Sequence, residues 1–174
     1  VKPAAEITKT GKVGVLATPA TFQGALYASV VERFGAGVEF FQNTCPGLVS
    51  QIEKGELESN ATRTILEDAL LPMLEKNIDT VVLGCTHYPF VIPLIERIVG
   101  DAKRVRVIDP APSVARQVKR LLEASGNLNQ TSESQRVRFY TSADPASMKS
   151  LLPLLLGTDG EVEAVTWKDD QVTL

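Results

Sequence analysis

Four short apolar runs, each closed by a loop of small and polar residues and separated by longer amphipathic stretches, constrain this chain more than any other feature. Residues 13–18 (VGVLAT), 38–43 (VEFFQN), 80–85 (TVVLGC) and 105–109 (VRVID) read as buried strands, apolar enough for a sheet covered on both faces. Between them the spacing predicts helices. Residues 21–34 place Phe22, Ala25, Leu26, Val30 and Val31 on one stripe, and residues 46–54 make a shorter helix. Residues 60–76 carry Ile65, Leu66, Ala69, Leu70 and Met73 behind Asn60, read as an N-cap. Residues 93–99, opening on Pro93, and residues 113–124 complete the set. Strand and helix in alternation with short connections predict an α/β fold, a doubly wound parallel sheet flanked by helices.

The remainder is less regular. Residues 127–135 (NLNQTSESQ) are polar and aperiodic and read as a surface loop. Beyond them a strand is expected at 136–141, a helix at 145–156 interrupted by Pro153, and a last strand at 161–167. This tail either extends the first sheet or belongs to a second one. No repeat or heptad pattern is present, which removes solenoid and coiled-coil architectures.

Composition narrows the function. The 174 residues are 44% hydrophobic with a net charge of −3, and no basic run is available to neutralise phosphates, so neither nucleic acid nor a membrane surface is expected as partner. No apolar run approaches the ~18–20 residues needed to span a bilayer. The opening VKPAAE lacks both an initiator Met and a secretory signal, and the chain is therefore expected to be a piece of something longer. Cys45 and Cys85, forty positions apart, form no C-x-x-C pair; a reducing cytoplasm is the expected setting. One histidine makes a four-ligand zinc site hard to assemble, and no metal is expected.

In open parallel sheets ligands bind beyond the carboxyl ends of the strands, which directs attention to three loops: 17–21 (ATPAT), 42–46 (QNTCP) and 84–89 (GCTHYP). The third sets a thiol, an imidazole two residues on, and a proline suited to a helix start behind a glycine that permits close backbone approach or an unusual φ. That setting suits an activated thiol, because the thiolate is the reactive species and helix starts and His⁺ favour it. Taken singly, each residue also has an ordinary explanation. Cys85 reads equally as an inert core thiol, His87 as a structural imidazole, Thr18 and Thr21 as N-caps, Cys45 as a packing residue and Glu53 as a solvated carboxylate. The conjunction of thiol, imidazole and hydroxyls at one sheet edge is what favours chemistry.

With GCTHYP preceded by TVVL, and with GVLATPAT at 14–21, CPGLVSQIE at 45–53 and VIDPA at 107–111, the sequence resembles the C-terminal portion of the glutamate racemase family over residues 10–157. The resemblance implies two similar α/β domains with substrate between them, residues 1–109 forming the domain that carries the second catalytic cysteine and 110–174 returning to complete the other. It implies cofactor-independent racemisation by two thiols on opposite faces of the α-carbon. Cys85 would be one of them, His87 its acid/base partner and Glu53 a residue assisting catalysis, while Thr18, Thr21 and Thr86 would hold substrate. Cys45 matches a family cysteine outside the acid/base pair. The substrate would be glutamate, the product D-glutamate for peptidoglycan, and the full-length protein a homodimer. The family's Asp-Ser, Pro-Tyr-Gly and Cys-Asn-Thr segments, the last bearing the other thiol, are expected before Val1.

An α-proton beside a carboxylate is very weakly acidic, so its removal needs a positioned base, an acid, and donors for the developing charge. One suitable thiol cannot serve both faces, and the 174-residue chain by itself is expected to be inactive. Two other readings remain open here: an α/β binding module without chemistry, and a racemase of the same group acting on aspartate or a hydantoin. His87 favours glutamate, since aspartate racemases tend to carry Glu at that place.

Overall fold

Every residue of strand β1 (Lys12–Ala17) after Lys12 is buried, which requires neighbours on both edges and layers on both faces. The computed structural model describes residues 1–100, 105–129 and 137–173. In it β1 pairs in parallel with β2 (Glu39–Asn43) on one side and with β3 (Thr80–Gly84) on the other. Next to β3 lies β4 (Arg106–Ile108), also parallel, giving the order β2-β1-β3-β4. The expected parallel α/β sheet is present. Only its two central strands are as buried as the sequence suggested, because β2 and β4 are edges and remain partly exposed.

Alternation along β1 assigns the layers. Val13, Val15 and Ala17 join Ala4 and Val82 in one cluster, against which Phe22, Tyr27, Val38, Phe40 and Ile108 pack. That face is covered by α1 (Lys2–Ile7), α2 (Pro19–Gln23) and α3 (Ala25–Phe34). On the opposite face a Cβ at Gly14 would come within 2.9 Å of Met73 Sδ, so α5 (Asn60–Glu75) lies directly on the strand. Leu66 and Leu70 of α5 are fully buried there, each worth about 2 kcal/mol in apolar transfer. Helices α4 (Leu48–Glu53) and α6 (Ile92–Val99) pack beside α5.

The chain leaves β1 toward β2 and then crosses back past β1 to β3. Its winding reverses between β1 and β3, and the loops after these two strands diverge, leaving the crevice where α/β folds bind ligands. At the other end of the sheet the link into β1 is tied down by Asp79. Its carboxylate accepts from the Thr8 hydroxyl (2.6 Å), the amides of Lys9 (2.6 Å) and Thr10 (3.0 Å), and the Thr80 hydroxyl (3.1 Å).

Several local expectations are corrected. The helix expected over 21–34 is two helices, because Gly24 adopts an extended conformation (φ −72°, ψ 132°). The cap of α5 is Ser59, whose hydroxyl accepts from the Thr62 amide, with Asn60 as the first helical residue. The turn before α6 starts earlier than Pro93, as a 3-10 turn at Tyr88–Val91.

Helix α7 (Ala111–Ala124) repeats apolar residues at Val114, Val118 and Leu121, yet none of its residues is buried, and these three are 58%, 49% and 55% exposed. The chain divides into two compact units, Val1–Asn127 and Leu128–Leu174. In the second, β5 (Phe139–Thr141) and β6 (Val162–Ala164) form a parallel pair separate from the first sheet, connected through α8 (Pro145–Leu156). Pro153 does not interrupt α8 as expected; near the helix end its missing N–H costs a single bond. The strand expected at 161–167 is broken into β6 and β7 (Thr166–Lys168). Strand β7 turns back antiparallel onto β8 (Gln171–Thr173) through Asp169 and Asp170, both with positive φ. Most of the loop expected at 127–135, and the start of the strand expected at 136, lie outside the described residues. No helix among the described residues is long and apolar enough to cross a membrane.

Candidate functional site

Because β1, β2 and β3 are parallel, the loops that follow them meet at one end of the sheet, as their positions in the sequence predict. Gly84 is required there for close approach. It pairs with Ala17, and a Cβ on it would lie 2.9 Å from Ala17 Cβ. The chain then turns tightly, the Tyr88 amide donating to the Cys85 carbonyl at 3.3 Å, and both Cys85 and His87 are left half-buried at the rim.

Three side chains, two from the loop after β3 and one from the end of α4, align. Cys85 Sγ lies 4.0 Å from His87 Nδ1, and His87 Nε2 lies 3.2 Å from Glu53 Oε1. Glu53 is the last residue of α4 and comes from a position 34 residues before the histidine. A carboxylate only accepts, so Nε2 carries a proton in this contact, and in the neutral form of the ring the lone pair of Nδ1 faces the sulfur. Such a ring can take the thiol proton, and the carboxylate beside it stabilises the imidazolium that results. With the histidine 34% and the glutamate 60% exposed, the contact itself adds little stability. Its value is orientation.

Thr18 occupies the N-cap position of α2 but makes no capping bond with its side chain. Its hydroxyl is instead 3.1 Å from that of Thr21, which reaches toward the Gly84 carbonyl at 3.5 Å. Two hydroxyls thus stand across the β1/β3 crevice from the thiol loop. Thr86 is exposed and lines a cleft of about 520 Å³ together with Gly84, Cys85, Pro89, Asp109 and the first turn of α7. Cys85, Thr86 and His87 lie in the loop after β3, Thr18 and Thr21 at the start of α2 after β1, and Glu53 at the end of α4, where it meets His87.

Cys45 is different. It is 2% exposed, and burial, reinforced by the neighbouring Cys85, pushes its thiol up to about 12. It stays protonated at any physiological pH and cannot act as the second base. Its backbone is in the left-handed region (φ 45°), a conformation costly for a residue with a Cβ. The Asn43 side-chain oxygen holds it there by accepting the Cys45 amide at 3.0 Å.

Two participants were not evident from the residue types. Asp109 lines the cleft, its carboxylate accepting the Ala111 amide at 2.8 Å; its place after an apolar strand, next to a proline, is the available signal. Tyr88, 1% exposed, donates its hydroxyl to the Thr44 carbonyl at 3.1 Å, a contact between positions 44 apart that no local pattern encodes. Among the described residues no group of three or more His, Cys, Asp or Glu side chains is arranged to hold a metal ion.

A sequence model of the family described as Asp/Glu/Hydantoin racemase matches residues 2–118. A glutamate racemase of Pseudomonas aeruginosa strain UCBPP-PA14 is 45% identical over 162 residues, covering 93% of this chain and 60% of that protein. Among solved structures, a glutamate racemase isoform from Bacillus anthracis superposes with a TM-score of 0.81 at 28% identity, covering 95% of this chain and 63% of that one. A glutamate racemase from Francisella tularensis, solved in complex with D-glutamate, gives 0.78 at 30% identity, with 94% and 60% covered. The chain spans about 60% of the length of the curated relatives it matches.

Proposed function

Since the chain belongs to the Asp/Glu/hydantoin racemase family, we propose that it supplies one half of the proton-transfer machinery of a glutamate racemase. The observation that carries this reading is the line Cys85–His87–Glu53, at 4.0 and 3.2 Å. In the reaction the Cys85 thiolate removes the α-proton of one enantiomer, or, as thiol, delivers a proton to the planar carbanion from that face. His87 holds the proton that leaves the sulfur, and Glu53 steadies the charged ring. The hydroxyls of Thr18, Thr21 and Thr86 bind the substrate's polar groups and meet the charge that develops on its carboxylate. Two thiols suffice for the chemistry, and the reading calls for no cofactor.

The opposite face needs a second acid, and Cys45 is unsuited to the task. We assign that role to polypeptide outside these 174 residues, with residues from 110 onward completing the domain that carries it. Within a cell the product would be D-glutamate for peptidoglycan, made in the cytoplasm by a homodimer. The glutamate assignment is supported by the glutamate racemases among the relatives; aspartate or a hydantoin would be the substrate if profiling favoured them.

The test is α-proton exchange in D₂O. The protein that carries this segment at the length of its relatives should incorporate deuterium into both enantiomers of glutamate and interconvert them. Cys85→Ser should abolish interconversion, and turnover persisting in that variant would overturn the assignment. The 174-residue chain assayed alone should show none.

A further inference from the structure

Glu53 and His87 meet although nothing in the local backbone of either forces them together. Glu53 ends α4, and His87 sits in the turn after β3. Apart from packing between α4 and the 3-10 turn, the described residues join these parts of the chain through the Glu53–His87 pair, largely in solvent, and the part-buried bond from the Tyr88 hydroxyl to the Thr44 carbonyl.

These contacts close one ring. Tyr88 follows His87 directly in the chain. Its hydroxyl fixes Thr44, the next residue is Cys45 in its left-handed conformation, and the Cys45 carbonyl accepts the Leu48 amide at 3.1 Å, which starts α4. Helix α4 then runs one and a half turns, with Leu48 and Ile52 fully buried, to Glu53, which returns to His87. A short helix with two anchored residues transmits a displacement at its start to its end. Thr44, held by Tyr88, and Glu53, held by His87, thus lie at the two ends of one short segment.

We propose that Tyr88 is a positioning residue: its hydroxyl, by holding the Thr44 carbonyl, registers α4 so that Glu53 meets His87 and the ring presents Nδ1 to Cys85. The inference rests on the Cys85–His87–Glu53 reading above. Burial raises the phenol, so the hydroxyl keeps its proton and remains a donor. An exposed pair such as Glu53–His87 loses side-chain entropy on forming and is weak by itself; a more sheltered bond to a main-chain carbonyl supplies the missing constraint.

The experiment is a double-substitution cycle on alkylation of Cys85 by iodoacetamide, resolved from Cys45 by peptide mass spectrometry. Tyr88→Phe keeps the ring and its packing and removes only the hydroxyl. In the unsubstituted chain Glu53→Gln should slow Cys85 labelling by about threefold to tenfold at pH 7. In the Tyr88→Phe background the same change should have at most half that fold-effect, because the carboxylate is already out of register. An effect larger than that overturns the proposal. If Glu53→Gln has no effect in the unsubstituted chain, the relay reading fails, and the positioning proposal is then decided by nuclear magnetic resonance of the single histidine. Tyr88→Phe must move the His87 ring resonances toward those of Glu53→Gln, and unmoved resonances overturn it.

Discussion

Cys85 Sγ stands 4.0 Å from His87 Nδ1, whereas the sulfur of Cys45 is enclosed and held protonated, its thiol pushed up to about 12 first by burial and then by Cys85. The two thiols of one short chain thus differ in access and in their neighbours. At pH 8 iodoacetamide should label Cys85 at least about a hundredfold faster than Cys45, since the thiolate is the nucleophile. Comparable labelling of both, measured on the folded chain by mass spectrometry, would show that the burial of Cys45 is wrong.

In the proposed relay the imidazole receives the thiol proton. His87→Asn should lower the Cys85 labelling rate at neutral pH by about tenfold, with the circular dichroism of the chain unchanged, because His87 is at the rim and packs no core. Equal rates in variant and parent would overturn the role proposed for the imidazole.

Gly84→Ala tests the crevice from the other side. The new methyl would meet Ala17 Cβ at 2.9 Å, two backbone-borne atoms with no rotamer to escape into. Overpacking of this kind costs about 1–3 kcal/mol, which denaturant titration should register. Because the turn begins at the next residue, labelling of Cys85 should change as well.

Asp79 governs the acid response. Burial pushes its carboxyl up, but the hydrogen bonds from Thr8, Lys9, Thr10 and Thr80 outweigh it and hold the group at about 2. A carboxyl lowered on folding contributes stability that is fully present above its unfolded value near 4 and is lost as pH falls through the folded one. Asp79→Ala should therefore destabilise the chain by about 1–2 kcal/mol at pH 7, after allowance for its partial exposure. The difference between parent and variant should shrink between pH 4 and pH 2, and a difference constant over that window would contradict the assignment.

The central strands were legible because VGVLAT and TVVLGC are apolar without alternation, a pattern that only burial on both faces tolerates. The edges β2 and β4 carry similar runs, and sequence does not say which strands end a sheet. Gly24 divides a helical stripe that periodicity reads as continuous, since an apolar spacing survives a one-residue break. The β7–β8 hairpin went unread because its turn is Asp169-Asp170, a weaker signal than Asn-Gly. At the site, Cys85 and His87 were visible by their proximity in sequence and Glu53 only through resemblance. The Tyr88–Thr44 bond had no signal at all, because it depends on where two loops fall once the sheet has formed.

The open ridge of Val114, Val118 and Leu121 along α7 gives this chain a practical character. Water wets such a strip poorly, so preparations should take up fluorescent dyes such as anilinonaphthalene sulfonate while fully folded, and precipitate early on ammonium sulfate addition. A bright dye signal from the 174-residue chain by itself is consequently no sign of denaturation.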